Sequence, residues 1–387
     1  MTLPHQSRFT IRTATPDDWH GIIELTGESF GASPEVFIGQ WPHSYYGPEA
    51  ARHCLVCEQD GRLIGTLNQV PLVLRLGGAR LRVTGICGVC THPDARGQGV
   101  MRTMLETSLH QEQSHVRAAI LWGARERYRR FGFELAGVSS YIMVNRSMLS
   151  GWSRTAMRRI EPRDADGLLR LNRRCPDLVE RNRIWQERLL ACSRVEVYAN
   201  APGEISAYLV YAREGLFKGR IIEAAGETEA LGGLLDAFLE QQALATVAVW
   251  FPPGAEMGRL LALKAENTFQ AGLDFTCATH LCILDFPGLL RSLAQPLARN
   301  FADYGIIQAL RLQCLPDSQI YDICLKEGRL ETGKAKASGP ADLAFDGPGW
   351  VRLLFPSPGA ELIEPEIEPT LRRAFGLSLV YPPWDII

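Results

Sequence analysis

The sequence lacks a long apolar run and an excess of charge of either sign. No apolar stretch reaches the roughly 18 to 20 residues that cross a bilayer, and the first twenty residues lack the apolar core of a secretion signal. The 387 residues carry 41 basic and 43 acidic side chains, a formal net charge of −2, which argues against a nucleic-acid or membrane-surface partner. We therefore expect a cytoplasmic protein of two or three domains.

Two common phosphate-binding motifs are missing as well. No Lys-Ser/Thr pair follows Gly99, which excludes the Walker pattern, and the spacing Gly97-Gln98-Gly99 alone is not the Rossmann fingerprint. Around Gly97 and Gly99 the sequence instead predicts a strand, a glycine turn and a helix. Such a turn presents backbone N–H groups and a positive dipole end to a phosphate, and Arg96 adds a bidentate cation. The predicted phosphate-binding segment comprises Arg96, Gly97, Gln98, Gly99, Val100 and Met101, and it follows a strand that ends at Val89, Cys90 and Thr91.

A second block of sequence supports a site at this place. Residues 118–123 are predicted to form a buried strand, and residues 124–133 a short helix closed by glycine. Tyr128 lies on that helix. A phenol with a pKa of about 10 is protonated at neutral pH and can act as a general acid. Simple packing of Tyr128 on the sheet is the alternative.

The segment Asp94-Ala95-Arg96-Gly97-Gln98-Gly99 resembles the acetyl-CoA signature of the GNAT N-acetyltransferases, Gln/Arg-x-x-Gly-x-Gly/Ala, with Asp94 as a departure from it. The resemblance implies that Val89 to Thr91 pair with the pantetheine arm and that Arg96 to Met101 wrap the pyrophosphate. It also implies that Tyr128 protonates the departing CoA thiolate, with Gly123 beside the cofactor.

The rest of the chain repeats this plan once and then departs from it. Residues 158–171 repeat the strand, Pro/Asp start and apolar helix of residues 11–25, and strands and a helix follow up to residue 251. At the corresponding turn, residues 226–233 hold two acids and no arginine. Like charges would repel a phosphate, so we expect this second copy to bind no CoA. From residue 284, helices and a hairpin predict an α+β module.

This order resembles the Eis-like (enhanced intracellular survival) acetyltransferases, which consist of an active GNAT domain, a degenerate GNAT domain and a sterol carrier protein-like domain. The predicted fold class is therefore α/β and α+β: tandem GNAT folds, each a mixed, largely antiparallel sheet flanked by helices, followed by a sterol carrier protein-like α+β domain. The predicted domains are residues 1–150, 151–285 and 286–387. The resemblance also implies a homo-oligomer, a trimer or hexamer.

By the same resemblance, the terminal carboxylate of Ile387 enters the active site and takes a proton from the attacking amine. A tail docked only for stability is the alternative. Glu28, Phe30 and Trp41 occupy the place of the acceptor-site wall, and acids with aromatics suit a cationic amine. Helix-surface and core roles are the ordinary alternatives for these three residues.

We therefore predict an N-acetyltransferase that moves an acetyl group from acetyl-CoA to a primary amine of a small molecule or a protein lysine. A non-catalytic acyl-CoA or lipid-binding protein is the competing hypothesis. The ten cysteines include Cys54-x-x-Cys57 and Cys87-x-x-Cys90, a spacing that zinc sites use. Both pairs fall in predicted strands, where residues three apart point to opposite faces. We expect buried thiols and no metal.

Overall fold

A computed structural model describes residues 9–137, 139–175, 177–251, 255–265, 271–274, 279–336, 339–357 and 367–379. Across these ranges the strands form two seven-stranded sheets and one four-stranded sheet. The sheets follow one another along the chain, and helices pack against each of them.

The first sheet is built mainly by the N-terminal third of the chain. Its strands there are β1 (Thr10–Thr13), β2 (Cys54–Gln59), β3 (Arg62–Leu76), β4 (Ala79–Thr91), β5 (Ala118–Leu121) and β6 (Glu134–Ala136). Its helices are α1 (Trp19–Phe30), α2 (Pro34–Gln40), α3 (Val100–Glu112) and α4 (Arg125–Tyr128). Strands β2 and β3 form a hairpin, and its turn residues Asp60 and Gly61 both have positive φ, as an Asp-Gly turn requires.

The second unit repeats the first. Its elements are β7 (Ser139–Asn145), β8 (Ala156–Arg159), α5 (Ala165–Arg174), α6 (Arg183–Leu190), β9 (Val195–Ala201), β10 (Ala207–Ala212), β11 (Arg220–Gly226), α7 (Thr228–Gln241), β12 (Thr246–Trp250), α8 (Glu256–Leu263) and β13 (Ala271–Asp274). The repeat extends to a side-chain pair at the first helix. Arg12 donates to Asp18 at 2.7 and 2.8 Å, and Arg158 donates to Asp164 at 2.7 and 2.9 Å.

The two large sheets exchange a strand. Strand β14 (Thr279–Ile283) follows the second unit in sequence but lies in the first sheet, antiparallel to both β5 and β6. Strand β7 lies in the second sheet, antiparallel to β12 and β13. The orders are therefore β1-β2-β3-β4-β5-β14-β6 and β13-β7-β12-β11-β10-β9-β8. Each sheet thus takes one strand from beyond the boundary predicted at residue 150.

The C-terminal unit is an α+β module, as predicted. It consists of α9 (Phe286–Ser292), α10 (Ala294–Asp303), β15 (Leu310–Leu315), β16 (Ile320–Lys326), β17 (Arg329–Lys334), β18 (Leu343–Asp346), α11 (Gly347–Leu354) and α12 (Pro369–Phe375), with strand order β17-β16-β15-β18. Trp350 is fully buried at its centre and donates its indole N–H to the Gln313 carbonyl at 2.8 Å. Two GNAT-type sheets followed by this module confirm the predicted fold class.

The cysteine pairs behave differently from each other. Cys54 and Cys57 pack in different hydrophobic clusters on the two faces of β2, as expected of a regular strand. For Cys87 and Cys90 the expectation of opposite faces is wrong. Their partners on β3, Asn68 and Thr66, are two residues apart, because a β-bulge inserts one extra residue into β4. Both thiols therefore share a face, beside Tyr45 and Cys54.

The described ranges contain no group of three or more His, Cys, Asp or Glu side chains placed to hold a metal ion. None of their helices is long and apolar enough to span a membrane.

Candidate active site

The site lies where β4 and β5 separate. The two strands pair in parallel only between Val83–Ile86 and Ala118–Leu121. Beyond that point β4 continues to Thr91, whereas the chain after β5 turns away into α4. Parallel strands that separate at their carboxyl ends leave a crevice between them, which is where α/β sheets bind ligands. Two adjoining cavities occupy this crevice.

The bulge in β4 lies in the wall of this crevice. Opposite Leu67 of β3 stand two residues of β4, Gly88 and Val89, which the regular ladder leaves out. Gly88 has φ of +56°, and a Cβ at this position would overlap the hydroxyl of the buried Tyr45. Glycine is therefore required here by both the backbone conformation and the space. The bulge presents irregular backbone to the crevice at the position predicted to contact the acyl donor.

The predicted glycine turn forms one end of the larger cavity. Gly97 and Gly99 have φ of +78° and +84°, and no atom lies within 4 Å of where a Cβ would stand on either. The positive φ of the backbone, rather than a steric clash with a neighbouring atom, is the reason for glycine at these two positions. Gly99 caps α3, and the first intrahelical bond runs from the Thr103 N–H to the Gly99 carbonyl. The N–H groups of residues 100–102 precede that bond, so this helix end suits an anion.

The structure brings the residues predicted to bind the cofactor together around this cleft. The lining includes nine residues singled out from the sequence: Val89, Cys90, Thr91, Arg96, Gly97, Gln98, Gly99, Val100 and Met101. Three further arginines, Arg102, Arg127 and Arg130, also line it, and sequence reasoning missed them. The run of four arginines between residues 125 and 130 was the available signal. Four guanidinium groups around one cleft favour a ligand with several phosphate charges.

The second cavity encloses about 230 Å³ and adjoins the first at Phe30, Val89 and Arg127, which line both. Its wall is largely aromatic. The Phe37 ring lies 5.8 Å from Phe30 and 4.7 Å from Trp41, measured between ring centroids. Aromatic contacts of this geometry form a rigid apolar wall.

Part of this cavity comes from the second unit. Arg194, Leu216 and Phe217 line it from the loops beside β9 and β10. The Arg194 guanidinium lies 4.5 Å from the centre of the Trp41 ring, and its Nε donates to the Gln40 carbonyl at 3.1 Å. No pattern near residue 194 or 216 indicated a site, because tertiary packing alone brings these loops to the first sheet.

Tyr128 lies in the wall of the second cavity, next to the junction. The side chain is 7% exposed and packs edge-on against Phe133 at 6.2 Å. A Cβ on Gly123 would stand 2.8 Å from the Tyr128 ring, so Gly123 makes room for that ring. Burial raises the pKa of Tyr128, while Arg127 acts in the opposite direction. The phenol is therefore a neutral hydrogen-bond donor at physiological pH.

The remaining predicted residues lie in different places. Phe30 and Trp41 line the second cavity, whereas Glu28 is exposed on α1 and is absent from the described lining of both cavities. Asp94 is exposed on the turn, with its carboxylate 3.6 Å from the His92 ring. Ile387 lies outside the described residues.

A splayed β4–β5 pair, a bulge and a glycine turn before α3 together form a cleft that suits a phosphate-bearing ligand. The sequence agrees with this geometry: residues 10–136 match the family model described as acetyltransferase (GNAT) domain. This part of the chain is therefore a GNAT acetyltransferase domain, which supports acyl-CoA-dependent acetyl transfer in general. No curated protein matches the chain significantly by sequence.

Solved structures resemble the chain over nearly its whole length. A GCN5-related N-acetyltransferase from Kribbella flavida is 19% identical, with 96% of this chain and 98% of that chain covered and a TM-score of 0.73. A GCN5-related N-acetyltransferase from Anabaena variabilis is 18% identical, with 97% and 98% covered and a TM-score of 0.73. Eis1 from Mycobacterium abscessus is 14% identical, with 96% and 98% covered and a TM-score of 0.66. At these identities the likeness is one of fold.

Proposed function

We propose that the protein is an N-acetyltransferase that transfers the acetyl group of acetyl-CoA directly to a primary amine. One observation carries the proposal: an arginine-rich cleft at a helix N-terminus adjoins an aromatic cavity at Val89 and Arg127, and Tyr128 lies in the wall beside that junction. A phosphate-bearing donor in one cavity would thus meet an acceptor in the other.

In the proposed reaction the neutral amine attacks the thioester carbonyl, and the C–S bond breaks as the C–N bond forms. The backbone N–H at Val89 stabilises the negative charge that develops on the carbonyl oxygen. Tyr128 donates its proton to the departing sulfur. The amine proton leaves to water or, as the family resemblance implies, to the carboxylate of Ile387.

The proposal extends to the remaining units. We assign residues 1–150 as the catalytic domain, 151–285 as a degenerate GNAT domain and 286–387 as a sterol carrier protein-like domain, in a cytoplasmic homo-oligomer. In the second unit two acids, Glu227 and Glu256, line the small cavity beside α7 with one cation, Arg174, which pairs with Glu227 at 3.5 Å. The Gly232–Gly233 pair is buried within α7, against Trp152 and Ser153. These features support the absence of a second CoA site.

A thiol-release assay with acetyl-CoA against a broad panel of amines tests the proposal. We expect CoA release that depends on the amine, with the acetylated amine detected by mass spectrometry. A protein that binds acetyl-CoA in calorimetry but acetylates no amine in the panel would instead be a non-catalytic acyl-CoA sensor. Retention of a lipid in native mass spectrometry without acetyl-CoA binding would favour a lipid carrier.

A further inference from the structure

We infer that the second unit sets acceptor specificity in the first, because its residues 192–194 cap the helix that carries the aromatic wall of the acceptor cavity. The inference rests on the proposed function, in which the second cavity of the site is the acceptor cavity. It makes Ser193 and Arg194 positioning residues, although they belong to the unit that we propose binds no CoA.

The aromatic wall depends on α2, a helix of only seven residues. Phe37 lies on this helix and Trp41 directly follows it, and both rings line the acceptor cavity. A helix this short is marginal on its own, so contacts with the rest of the protein must fix its position. The contacts at its carboxyl end therefore help to place these two rings.

The capping loop, residues 192–194, supplies the contacts at that end and joins α6 to β9. The Gly39 carbonyl accepts from the Ser193 N–H at 2.8 Å and from the Ser193 hydroxyl at 3.0 Å. The Gln40 carbonyl accepts from the Cys192 thiol at 3.3 Å and from Arg194 Nε at 3.1 Å. Because the last carbonyls of a helix have no partner within it, these donors from the second unit complete the end of α2.

Arg194 adds charge and stacking to this cap. Its guanidinium lies 4.5 Å from the centre of the Trp41 ring. A cation near the carboxyl end of a helix is stabilised by the helix dipole, and a guanidinium over an indole ring gains a cation–π contact. Both interactions hold Trp41 in one orientation beside Phe30, whose ring centroid is 6.4 Å away.

The capping loop also connects α2 to another part of the wall. The Arg194 carbonyl accepts from the Arg213 N–H at 2.8 Å, and Leu216 and Phe217, a few residues further along, line the same cavity. Hydrogen bonds thus run from α2 through the capping loop to the segment that begins at Arg213. A shift of the capping loop would disturb the wall on both sides.

Helix α6 holds the segment that follows α2. Trp185 packs edge-on against His43, with ring centroids 5.2 Å apart, and the Arg188 guanidinium lies 3.3 Å from the centre of the Tyr46 ring. Between these two contacts lies Tyr45, which lines the acceptor cavity and whose hydroxyl reaches the β4 bulge. The second unit therefore contacts α2 and the aromatic segment after it at several points.

This arrangement predicts which property of the enzyme depends on the capping loop. The described lining of the phosphate cleft contains no residue of this loop, so the affinity for acetyl-CoA should not depend on Ser193. An acceptor that packs on Phe37 and Trp41 loses part of that contact when α2 shifts, whereas an acceptor too small to reach the rings does not. Even small misplacements of a positioning group reduce transfer.

Kinetics with two amines test the inference on the full-length protein. Phenethylamine carries a ring that the wall can contact, and ethylamine lacks it. We expect Ser193→Ala to raise KM for phenethylamine about 5-fold, the effect of one lost neutral hydrogen bond. Over the same comparison, kcat, KM for ethylamine and the dissociation constant of acetyl-CoA should change by less than about twofold. Equal losses for the two amines would overturn the inference.

Two further variants serve as controls for Ser193→Ala. Ser193→Thr keeps a hydroxyl donor and should restore most of the affinity for phenethylamine. Ser147→Ala is the matched control, because Ser147 is an exposed serine of the second unit that donates to Asn145 at 2.7 Å and lies outside both described cavity linings. A rise in KM for phenethylamine in Ser147→Ala as large as that in Ser193→Ala would contradict a specific role for the capping loop.

Hydrogen exchange gives a readout that needs no acceptor. We expect the amides of residues 37–41 to exchange about 5-fold faster in Ser193→Ala, and those of α3 to exchange as in the wild type. Gly39→Ala in the Ser193→Ala background should slow exchange again, because alanine favours a helix more than glycine does. Its new Cβ would lie 3.8 Å from the Cβ of residue 193, an ordinary contact.

The exchange experiment separates failure of the inference from failure of the proposed function. Unchanged exchange at residues 37–41 in Ser193→Ala would overturn the inference, whatever the enzyme acetylates. If no amine in the panel is acetylated, the proposed function fails, and exchange alone then decides whether the capping loop positions the wall. If other amines are acetylated but phenethylamine and ethylamine are not, exchange again decides the inference.

Discussion

At the scale of single residues, burial controls which groups beside the acetyl donor can react. Cys87 and Cys90 line the two cavities, and burial raises the pKa of both thiols, that of Cys87 to about 12. A thiol is a poor nucleophile until it ionises. In the proposed reaction the two cysteines therefore do not compete with the amine for the acetyl group at neutral pH, and Tyr128, whose pKa is also raised, stays protonated.

This leads to a prediction for Tyr128→Phe. The variant keeps the ring and its packing against Phe133 but loses the proton, so we expect kcat to fall about 10²-fold or more, the usual contribution of a general acid. The dissociation constant for acetyl-CoA should stay within about twofold, because the phosphate cleft is untouched. Stopped-flow or steady-state kinetics and calorimetry measure the two quantities.

The direction of the Tyr128 pKa shift also predicts how kcat depends on pH. The raised pKa of Tyr128 means that its protonated form persists above the usual phenol pKa of about 10. The wild-type kcat should therefore show no descending limb from Tyr128 below that pH. Tyr198→Phe, at another buried tyrosine outside the described cavity linings, is the control. Unchanged kcat in Tyr128→Phe would remove this residue from the mechanism.

At the scale of elements, the β-bulge in β4 is the device that shapes the site. The extra residue shifts by one position which side chains of β4 point to each face of the sheet, and so places Cys87 and Cys90 on one face. The bulge depends on Gly88, whose positive φ and contact with the Tyr45 hydroxyl leave no room for a side chain. A single glycine thus couples the backbone of the site to the aromatic wall of the acceptor cavity.

Gly88→Ala tests this coupling. We expect a loss of unfolding free energy of about 3 kcal/mol, from the cost of positive φ for alanine together with the overlap at Tyr45, and a higher KM for acetyl-CoA. Gly61→Ala is the matched control. Gly61 has φ of +75° with nothing within 4 Å of a Cβ, so that variant should lose only about 1 kcal/mol. Urea denaturation compares the two.

A second substitution separates the two costs of Gly88→Ala. Tyr45→Phe in that background removes the overlapping hydroxyl, but the ring carbon at 3.1 Å from the new Cβ remains. The double variant should recover part of the lost stability and should never reach the Gly61→Ala value. Equal stability of Gly88→Ala and Gly61→Ala would mean that Tyr45 does not hold the bulge.

The sequence predicts elements better than it predicts their interruptions. The strand before Gly97, the glycine turn and the helix after Gly99 follow from period and turn chemistry. The bulge does not follow from the sequence, because Gly88 and Val89 continue the alternating pattern of β4. Its position depends on pairing with β3 and on the space that Tyr45 occupies. Nothing in the sequence indicates that Arg194 and Leu216 line the second cavity, because only tertiary packing brings the second unit to the first sheet.

At the scale of the whole molecule, the units are tied together by backbone as well as by side chains. Strand β14 fills the space between β5 and β6. The Val73–Arg75 stretch of β3 bonds to residues 178–180 of the second unit. From the C-terminal module, Arg352 reaches the buried Glu134 carboxylate on β6 at 2.7 Å. These links predict that the catalytic sheet does not fold from its own stretch of sequence.

Truncation tests this prediction. A chain that ends at residue 150 contains β5 and β6 but lacks β14, which pairs with both. It leaves two strand edges without partners in a sheet whose core is apolar, so we expect aggregation and no acetyl-CoA binding.

A chain that ends at residue 285 keeps both sheets whole and should bind acetyl-CoA. Its solubility should be lower, because the surface covered by α11 becomes exposed. Circular dichroism and calorimetry on both chains decide the matter: cooperative unfolding and full cofactor affinity in residues 1–150 would show that the exchanged strand is dispensable.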